Sequence, residues 1–250
     1  MKNIILNTEA VATPAPLPLP CHLVVEDHPL VSAFFEGLLQ NLYPDNRRAV
    51  CCTMEETFAF VKKNPVSMII LDINLPDGMS LSWIDTLKRM QPDMAILVVS
   101  AEDEAIFGPR ALQMRADGYI NKKASVEDIT LAIRTVQRGR KYVSPELLEN
   151  MISKSNQQPV PDNPFEKLTN REFEIAVLLM KGYTAVESGR VLSVQRSTIS
   201  THKIKIMDKL GVEDLNELKT LGVRYNVYNN PDAPPMLTVN KGGGFNARIA

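Results

Sequence analysis

The segment S-M-I-I-L-D-I-N-L-P-D-G, residues 67–78, decides the fold class and points to a functional site. Met68 to Leu71 is a short apolar run, the pattern of a strand that is buried on both faces of a parallel sheet. The run ends in a carboxylate, Asp72, and a Pro-Asp-Gly turn follows at residues 76–78. Because ligands of open α/β sheets bind beyond the carboxyl ends of the strands, Asp72 is a candidate functional residue. Taken alone, Asp72 is equally compatible with a residue that only caps the following loop.

An alternation of strands and helices extends on both sides of this segment. Further apolar strands are predicted at residues 22–25, 49–53, 95–99 and 118–120. Amphipathic helices follow the five strands, the first from Pro29 and the others over residues 54–63, 81–90, 106–114 and 126–138. Five βα units indicate an α/β domain over residues 21–141, with a parallel sheet covered by helices on both faces.

A second, all-helical domain is predicted over residues 165–225. Its first two helices open with capping boxes, Thr169-x-x-Glu172 and Thr184-x-x-Glu187. The tight connection between the second helix and the third predicts a helix-turn-helix at about residues 184–203. A short helix from Pro145 and a polar, proline-rich stretch fill residues 142–164, which we interpret as a linker. Residues 1–20 and 226–250 are predicted to be flexible extensions.

Composition and charge narrow the function classes. The chain has 250 residues, 44% apolar and 23% charged, with a formal net charge of −1, which excludes a generic polyanion-binding protein. Its charge is uneven: residues 165–225 carry a net +2 and the first 164 residues carry a net −4. The three cysteines form no metal-binding or disulfide pattern, and we find no signal peptide or membrane span. We therefore expect a cytoplasmic protein that does not contact a membrane.

The predicted strand ends bring several polar side chains to one edge of the sheet. Glu26 and Asp27 end the first strand, Asp72 the third, Ser100 the fourth, and Lys122 the fifth. Three carboxylates together repel unless a cation joins them, and oxygen ligands with room for water suit Mg²⁺. A carboxylate nucleophile beside a lysine and a hydroxyl has the groups needed to accept a phosphoryl group as an acyl phosphate. Each residue alone has a simpler interpretation, as a helix cap or a solvated side chain.

Motifs in both halves resemble known families. V-V-E-D-H-P, L-D-I-N-L-P-D-G, V-V-S-A and G-Y-I-N-K-K-A-S resemble the receiver domain of two-component response regulators. Residues 168–212, from L-T-N-R-E-F-E-I to M-D-K-L-G-V, resemble the LuxR-type DNA-binding domain. The two in this order resemble the NarL/FixJ class of response regulators. The resemblance implies a flavodoxin-like (βα)5 fold with strand order 2-1-3-4-5, followed by a four-helix domain.

The resemblance also implies roles for individual residues. Asp72 would accept phosphate from a sensor histidine kinase or a phosphotransfer protein. Glu26, Asp27 and the backbone carbonyl of Asn74 would join Asp72 in holding Mg²⁺. Lys122 would contact the phosphoryl group, Ser100 would close on it, and Tyr119 would turn inward as the switch aromatic; the alternative for Tyr119 is a half-buried sheet residue. The protein would be a transcription factor rather than an enzyme, with at most self-catalysed phosphotransfer and dephosphorylation.

The helix over residues 196–209 carries a net charge of +3 and is the candidate DNA-reading element. Such a helix lies in the major groove of promoter DNA, and phosphate contacts supply affinity while base contacts supply specificity. The candidate contacts are Arg196, Thr198, Ser200, Thr201, Lys203, Ile204, Lys205 and Lys209. A homodimer would read two half-sites, with Leu215, Leu218 and Leu221 as candidate interface residues, and RNA polymerase is a further candidate partner.

Two other functions remain open at this point. An aspartate-based phosphatase needs a second Asp two residues after its nucleophile, where this chain has Asn74. A signalling adaptor could keep the helix-turn-helix without binding DNA. The chain departs from the LuxR-type pattern at Ser188 and Gly189, where Ile-Ala is usual, and at Gln195, where a small hydroxyl residue usually caps the helix.

Overall fold

The computed structural model describes residues 21–156 and 163–228. The predicted extension over residues 1–20 lies outside the described residues, as do nearly all of the C-terminal extension and the middle of the linker. The described part divides into two compact units. Residues 21–100 and 111–143 form the first unit, whereas residues 101–110 group with the second unit, which continues from Ser144.

The first unit is built on a parallel five-stranded sheet. Its strands are β1 (Cys21–Val25), β2 (Arg47–Cys51), β3 (Val66–Leu71), β4 (Ala95–Ser100) and β5 (Gly118–Asn121). They are hydrogen-bonded in the order β2-β1-β3-β4-β5, and all four pairings are parallel. This topology confirms the predicted flavodoxin-like fold and places β3 in the middle of the sheet.

Four helices connect the strands of this sheet, and a fifth follows the last strand. They are α1 (Pro29–Leu42), α2 (Met54–Lys63), α3 (Ile84–Met90), α4 (Glu104–Gln113) and α5 (Val126–Gln137). The predicted first turn of the third helix is a separate 3-10 turn, Leu81–Trp83. Thr53 and Ser125 cap α2 and α5, because their hydroxyls accept hydrogen bonds from the backbone N–H groups of Glu56 and Asp128.

The central strand is buried as its apolar run predicts. Met68 to Leu71 are at most 2% exposed, and Met68 and Ile70 pack in a core with residues of α1, β4 and α5. In α1 it is Phe35 and Leu39 that face this core, whereas Leu30 is 87% exposed. Burial on both faces leaves the carboxyl end of β3 as the place where its polar residues can meet solvent.

A tight hairpin follows Asp72. Asn74–Leu75 pairs in antiparallel fashion with Gly78–Met79, so that Pro76 and Asp77 form the turn that the Pro-Asp-Gly sequence predicts. Gly78 has φ of +127°, a backbone conformation that residues with a side chain rarely adopt. The Ser80 N–H and hydroxyl donate to the carbonyls of Ile73 and Asp72, at 2.9 and 2.5 Å. These bonds hold the loop after Asp72 against the end of the strand.

A fully buried histidine lies in the first strand of the sheet. The His22 side chain is fully buried in β1, with Nε2 3.0 Å from the Asn46 side-chain nitrogen, and burial lowers its pKa from 6.5 to about 4. Because the unfolded chain binds this proton below about pH 6.5 and the folded protein does not, stability is lost as pH falls from 6.5 towards 4.

We therefore expect His22→Gln to reduce the acid sensitivity of the protein. In denaturant unfolding at pH 7 and pH 5, the wild type should lose about 2 kcal/mol more than the variant between the two pH values. Equal losses of unfolding free energy in the two proteins would show that folding does not lower the pKa of His22.

The second unit contains the predicted helical domain. After α6 (Pro145–Asn156) and a 3-10 turn (Pro164–Lys167), its helices are α7 (Asn170–Met180), α8 (Ala185–Val191), α9 (Arg196–Leu210) and α10 (Leu215–Arg224). Both predicted capping boxes form: each threonine hydroxyl accepts from the N–H of its glutamate, whose carboxylate accepts from the N–H of the threonine. Gly211 ends α9 with φ of +65°.

Helices α7 and α9 each bury an apolar face in this domain. Ile175, Leu178, Leu179, Ile199, Ile206 and Leu210 are all at most 9% exposed. Leu218 is fully buried inside the domain, so it is unavailable for the dimer interface in which we had placed it. Within residues 21–156 and 163–228, no helix has both the length and the apolar character needed to cross a bilayer.

Candidate functional site

The carboxyl edge of the sheet brings the predicted acidic residues together. Glu26 and Asp27 follow β1 directly, and Asp72 follows β3. Backbone hydrogen bonds fix the positions of Glu26 and Asp72 along the strand direction. The Glu26 N–H donates to Cys51 O at 3.0 Å, and the Asp72 N–H donates to Val25 O at 2.9 Å. Carboxylate oxygens of all three residues lie within 4.8 Å of one another, together with a ring nitrogen of His28. Residues separated by 45 positions in the sequence thus form one cluster.

Lys122 pairs with two carboxylates of this cluster. It follows β5, and its N–H donates to Ser100 O at 2.8 Å, which ties the ends of β4 and β5 together. Its Nζ lies 2.6 Å from Glu26 Oε2 and 3.0 Å from Asp72 Oδ2. The side chains of Glu26 and Asp72 are only 3% and 4% exposed, so this ammonium is the main countercharge for two buried carboxylates.

His28 also belongs to the cluster, although the sequence analysis assigned it no role. Its Nδ1 lies 2.9 Å from Glu26 Oε1 and 2.9 Å from Asp27 Oδ1, while its backbone N–H donates to Glu26 Oε1. The hydrogen bond to Glu26, supported by the charge of Asp27, raises the pKa of His28. The contiguous E-D-H sequence was the available signal, because consecutive residues at a strand end remain close in space.

The electrostatics of Asp72 suit a nucleophile. Burial raises the pKa of Asp72 to about 6; the Lys122 ammonium opposes this effect and the Glu26 carboxylate adds to it. The carboxyl is therefore still largely ionised at pH 7, yet poorly solvated. Burial disfavours the Lys122 ammonium, but the hydrogen bond to Glu26 and the charge of Asp72 outweigh it and raise the pKa of Lys122.

Ser100 and Tyr119 lie on adjacent strands, β4 and β5, with their side chains on the same face of the sheet. Ser100 is the last residue of β4 and is fully buried. Tyr119 pairs with Val98 across the β4–β5 ladder, and its ring is also fully buried. The half-buried position that we considered for Tyr119 therefore does not occur.

The donor set at this edge fits a hard divalent cation. The cluster offers carboxylate oxygens from Glu26, Asp27 and Asp72, and the Asp27 side chain is 28% exposed, so the site is open to water on one side. Mg²⁺ prefers oxygen ligands from few carboxylates together with water and phosphate oxygens. The fourth predicted ligand is the backbone carbonyl of Asn74. Asn74 lies two residues after Asp72, in the hairpin that the Ser80 hydrogen bonds hold against the end of β3.

The helix-turn-helix is compact at its turn. The N–H of Val194 donates to Gly189 O at 2.8 Å, and a Cβ atom at residue 189 would lie only 2.7 Å from Val194 O. This close contact explains why glycine is found at position 189, because a larger residue would require the turn to shift. Ser193 takes φ of +52° in the same turn. Ser188 is fully buried where the LuxR-type pattern has isoleucine, so this helix buries less apolar surface.

Helix α9 presents an exposed polar face beside its buried one. The candidate contacts that are exposed are Arg196, Thr198, Ser200, Thr201, Ile204 and Lys205. Gln195, at the N-cap position, makes no side-chain hydrogen bond to the helix. Lys209 points elsewhere: its Nζ lies 2.7 Å from Glu172 Oε2, the carboxylate of the first capping box, so in this structure it joins α9 to α7.

Each half of the chain matches a known protein family. Residues 23–134 match the family model of the response regulator receiver domain, and residues 166–221 match that of bacterial regulatory proteins, luxR family. The chain is 29% identical over 203 residues to the response regulator GacA of Pseudomonas aeruginosa and 30% identical over 205 residues to that of Pseudomonas protegens. Each alignment covers 81% of this chain and 95% of the relative.

A solved structure has the same fold. RcsB from Salmonella enterica serovar Typhimurium, bound to promoter rprA in the presence of phosphomimetic BeF3−, has a TM-score of 0.61 and 22% identity. The match covers 81% of this chain and 98% of that one.

A receiver domain followed by a helix-turn-helix domain defines a class of two-domain signalling regulators. The chain belongs to the response regulators of the NarL/FixJ class, which join a receiver domain to a LuxR-type DNA-binding domain. The two relatives described above are likewise response regulators.

Proposed function

We propose that Asp72 is the phosphoacceptor of this response regulator and that its phosphorylation controls the binding of α9 to promoter DNA. The observation that carries the proposal is the contact of Lys122 Nζ with both Asp72 and Glu26 at the carboxyl edge of the sheet. No fold requirement brings three carboxylates and one lysine together there, since burying such charges costs free energy.

The proposed transfer is a displacement at phosphorus. An ionised Asp72 oxygen forms the new P–O bond, the P–N bond of a phosphohistidine breaks, and the histidine nitrogen retains the bonding electron pair and takes up a proton. The donor is a sensor histidine kinase or a phosphotransfer protein. Lys122 stabilises the charge on the phosphoryl oxygens, and Ser100, at the adjacent strand end, donates its hydroxyl to one of them.

Mg²⁺ is the proposed cofactor, held by Glu26, Asp27 and Asp72 with the backbone carbonyl of Asn74. When bound, it neutralises charge on the carboxylates and on the incoming phosphoryl group. The residues of the chain supply the positioning: the two backbone hydrogen bonds of Glu26 and Asp72 to neighbouring strands keep the carboxylates at one height.

The proposed output is sequence-specific DNA binding by a homodimer, with transcription as the controlled process and RNA polymerase as a further partner. A phosphoryl charge of about −2 on Asp72 attracts Lys122 and Ser100 and shifts a pre-existing conformational equilibrium. Arg196, Lys203 and Lys205 contact backbone phosphates, and the exposed face of α9 meets the base edges. RcsB, which shares this fold, has been solved bound to a promoter in the presence of a phosphomimetic, and this supports the proposed coupling of the two domains.

A labelling experiment on the full chain tests this proposal. We expect a small phosphodonor such as acetyl phosphate to label the protein only with Mg²⁺ present, and hydroxylamine to release the label, as it does from acyl phosphates. The phosphodonor-treated protein should bind selected DNA more tightly than the untreated one. Its affinity should fall steeply with salt, because phosphate contacts release counterions.

Two outcomes would favour the rival functions instead. Rapid turnover of an added phosphomonoester would indicate an aspartate-based phosphatase, although Asn74 occupies the position of the expected general acid. Normal labelling without any salt-dependent DNA binding would indicate a signalling adaptor.

A further inference from the structure

One apolar residue of the DNA-reading helix does not contribute to the core of its domain. Ile204 is 71% exposed in the middle of α9, on a helix whose other exposed residues are polar or charged. The buried face of α9 is formed by Ile199, Ile206 and Leu210, and Ile204 takes no part in it. Single exposed aliphatic residues are common on protein surfaces; what distinguishes Ile204 is its position in the middle of the exposed face of the helix that we propose binds DNA.

The neighbours of Ile204 define the chemistry of the surface. Ser200 and Thr201 precede it by four and three residues and share its face of the helix. Their hydroxyls donate to the carbonyls of Arg196 and Ser197, at 3.1 and 3.0 Å, which uses their donor hydrogens inside the helix. The centre of this face, between Arg196 and Asp208, therefore presents methyl groups and hydroxyl acceptors and carries none of the Arg, Asn or Gln side chains that read guanine or adenine in two-point contacts.

Two lysines lie beside the strip formed by Ser200, Thr201 and Ile204. Lys203 and Lys205 flank Ile204 in the sequence, and helix α9 has a net charge of +3. Flanking lysines pair with the phosphates on either side of a groove, and this charge complementarity directs the strip to the floor of the groove. In the major groove only thymine offers a methyl group at its edge.

We propose that Ile204 determines sequence specificity by packing against the 5-methyl group of a thymine in the major groove of each half-site. The proposal rests on the DNA-binding function proposed above and adds the class of base that this chain prefers. Thr201, one turn earlier, contributes its methyl group to the same contact or to the adjacent base.

Replacement of thymine by deoxyuridine tests this contact, because it removes only the methyl group and keeps the base pair. The full-length, phosphodonor-treated protein is first used to select tight-binding duplexes from a random library. The best duplex is then remade with deoxyuridine at one thymine at a time, and Kd is measured for each. We expect one thymine per half-site at which deoxyuridine weakens wild-type binding about five-fold, the effect of one buried methyl group.

The variant Ile204→Ala should bind the thymine duplex about five-fold more weakly and lose nothing more on deoxyuridine. Because Ile204 is largely exposed, this variant is expected to fold like the wild type. Val186→Ala is the matched control: Val186 is an aliphatic residue, 41% exposed, on the preceding helix, and its variant should keep the full deoxyuridine effect.

The outcomes separate this inference from the function on which it rests. Failure to select any duplex would overturn both the proposed DNA binding and the role of Ile204. Selection of a duplex whose affinity no deoxyuridine changes, or an undiminished deoxyuridine effect in Ile204→Ala, would overturn the role of Ile204 alone. Loss of the effect in Ile204→Ala but not in Val186→Ala supports the inference.

Discussion

Asp72→Ala is expected to abolish the Mg²⁺-dependent incorporation of phosphoryl label and the increase in DNA affinity caused by a phosphodonor. The loss should be complete rather than partial, because the variant lacks the oxygen that forms the bond to phosphorus. Folding should survive, since the change removes a buried carboxylate whose raised pKa shows that the protein holds its charge at a cost. Circular dichroism on the same preparation checks this point.

Asp93→Ala is the matched control for this experiment. Asp93 is an exposed carboxylate in the loop before β4, at the amino edge of the sheet and so opposite to the cluster. The control should label and bind DNA like the wild type. If Asp72→Ala kept its label, the acceptor would be a different residue and our assignment would be wrong.

Lys122→Ala is expected to have two separate effects, one on stability and one on rate. Lys122 neutralises two carboxylates that are almost fully buried, and removing one partner of a buried ion pair leaves uncompensated charge. We expect a loss of about 3 kcal/mol in the free energy of unfolding without divalent cation. The initial rate of labelling by a small phosphodonor should fall about 100-fold, the usual effect of removing one preorganised donor to developing negative charge.

The neighbouring lysine provides the control for both effects. Lys123 is exposed, and Lys123→Ala should change neither the denaturant midpoint nor the labelling rate beyond error. The two measurements also separate the roles of Lys122. A destabilised variant that labels at the wild-type rate would restrict Lys122 to charge neutralisation, and the proposed contact with the phosphoryl group would be wrong.

Sequence pattern predicted the elements that local physics controls. The apolar run Met68 to Leu71 became the central strand, and both capping boxes formed, because an N-cap depends on residues only three positions apart. Element boundaries were less accurate. The predicted third helix begins as a 3-10 turn, and the second strand spans Arg47–Cys51 rather than residues 49–53.

Side-chain environments were predicted less completely than elements. The apolar helix-α10 residue Leu218 was placed at a dimer interface, but it is buried inside its own domain. Lys209 is a candidate DNA contact, and no sequence pattern indicated the partner that it has in the structure, Glu172, 37 residues earlier. Such pairings depend on how helices pack, and helical periodicity identifies a face without identifying what covers it.

By itself, the sequence determined the order of elements and the kinds of residue at each strand end, because these follow from apolar periodicity and capping within a few residues. Only the tertiary structure decided which of those residues meet. The contact of Lys122 with Glu26 and Asp72 depends on parallel strand order. The burial of Tyr119 and the exposure of Ile204 depend on how the sheet and the helices pack. Distances between residues far apart in the chain are set by those long-range contacts, which no local pattern encodes.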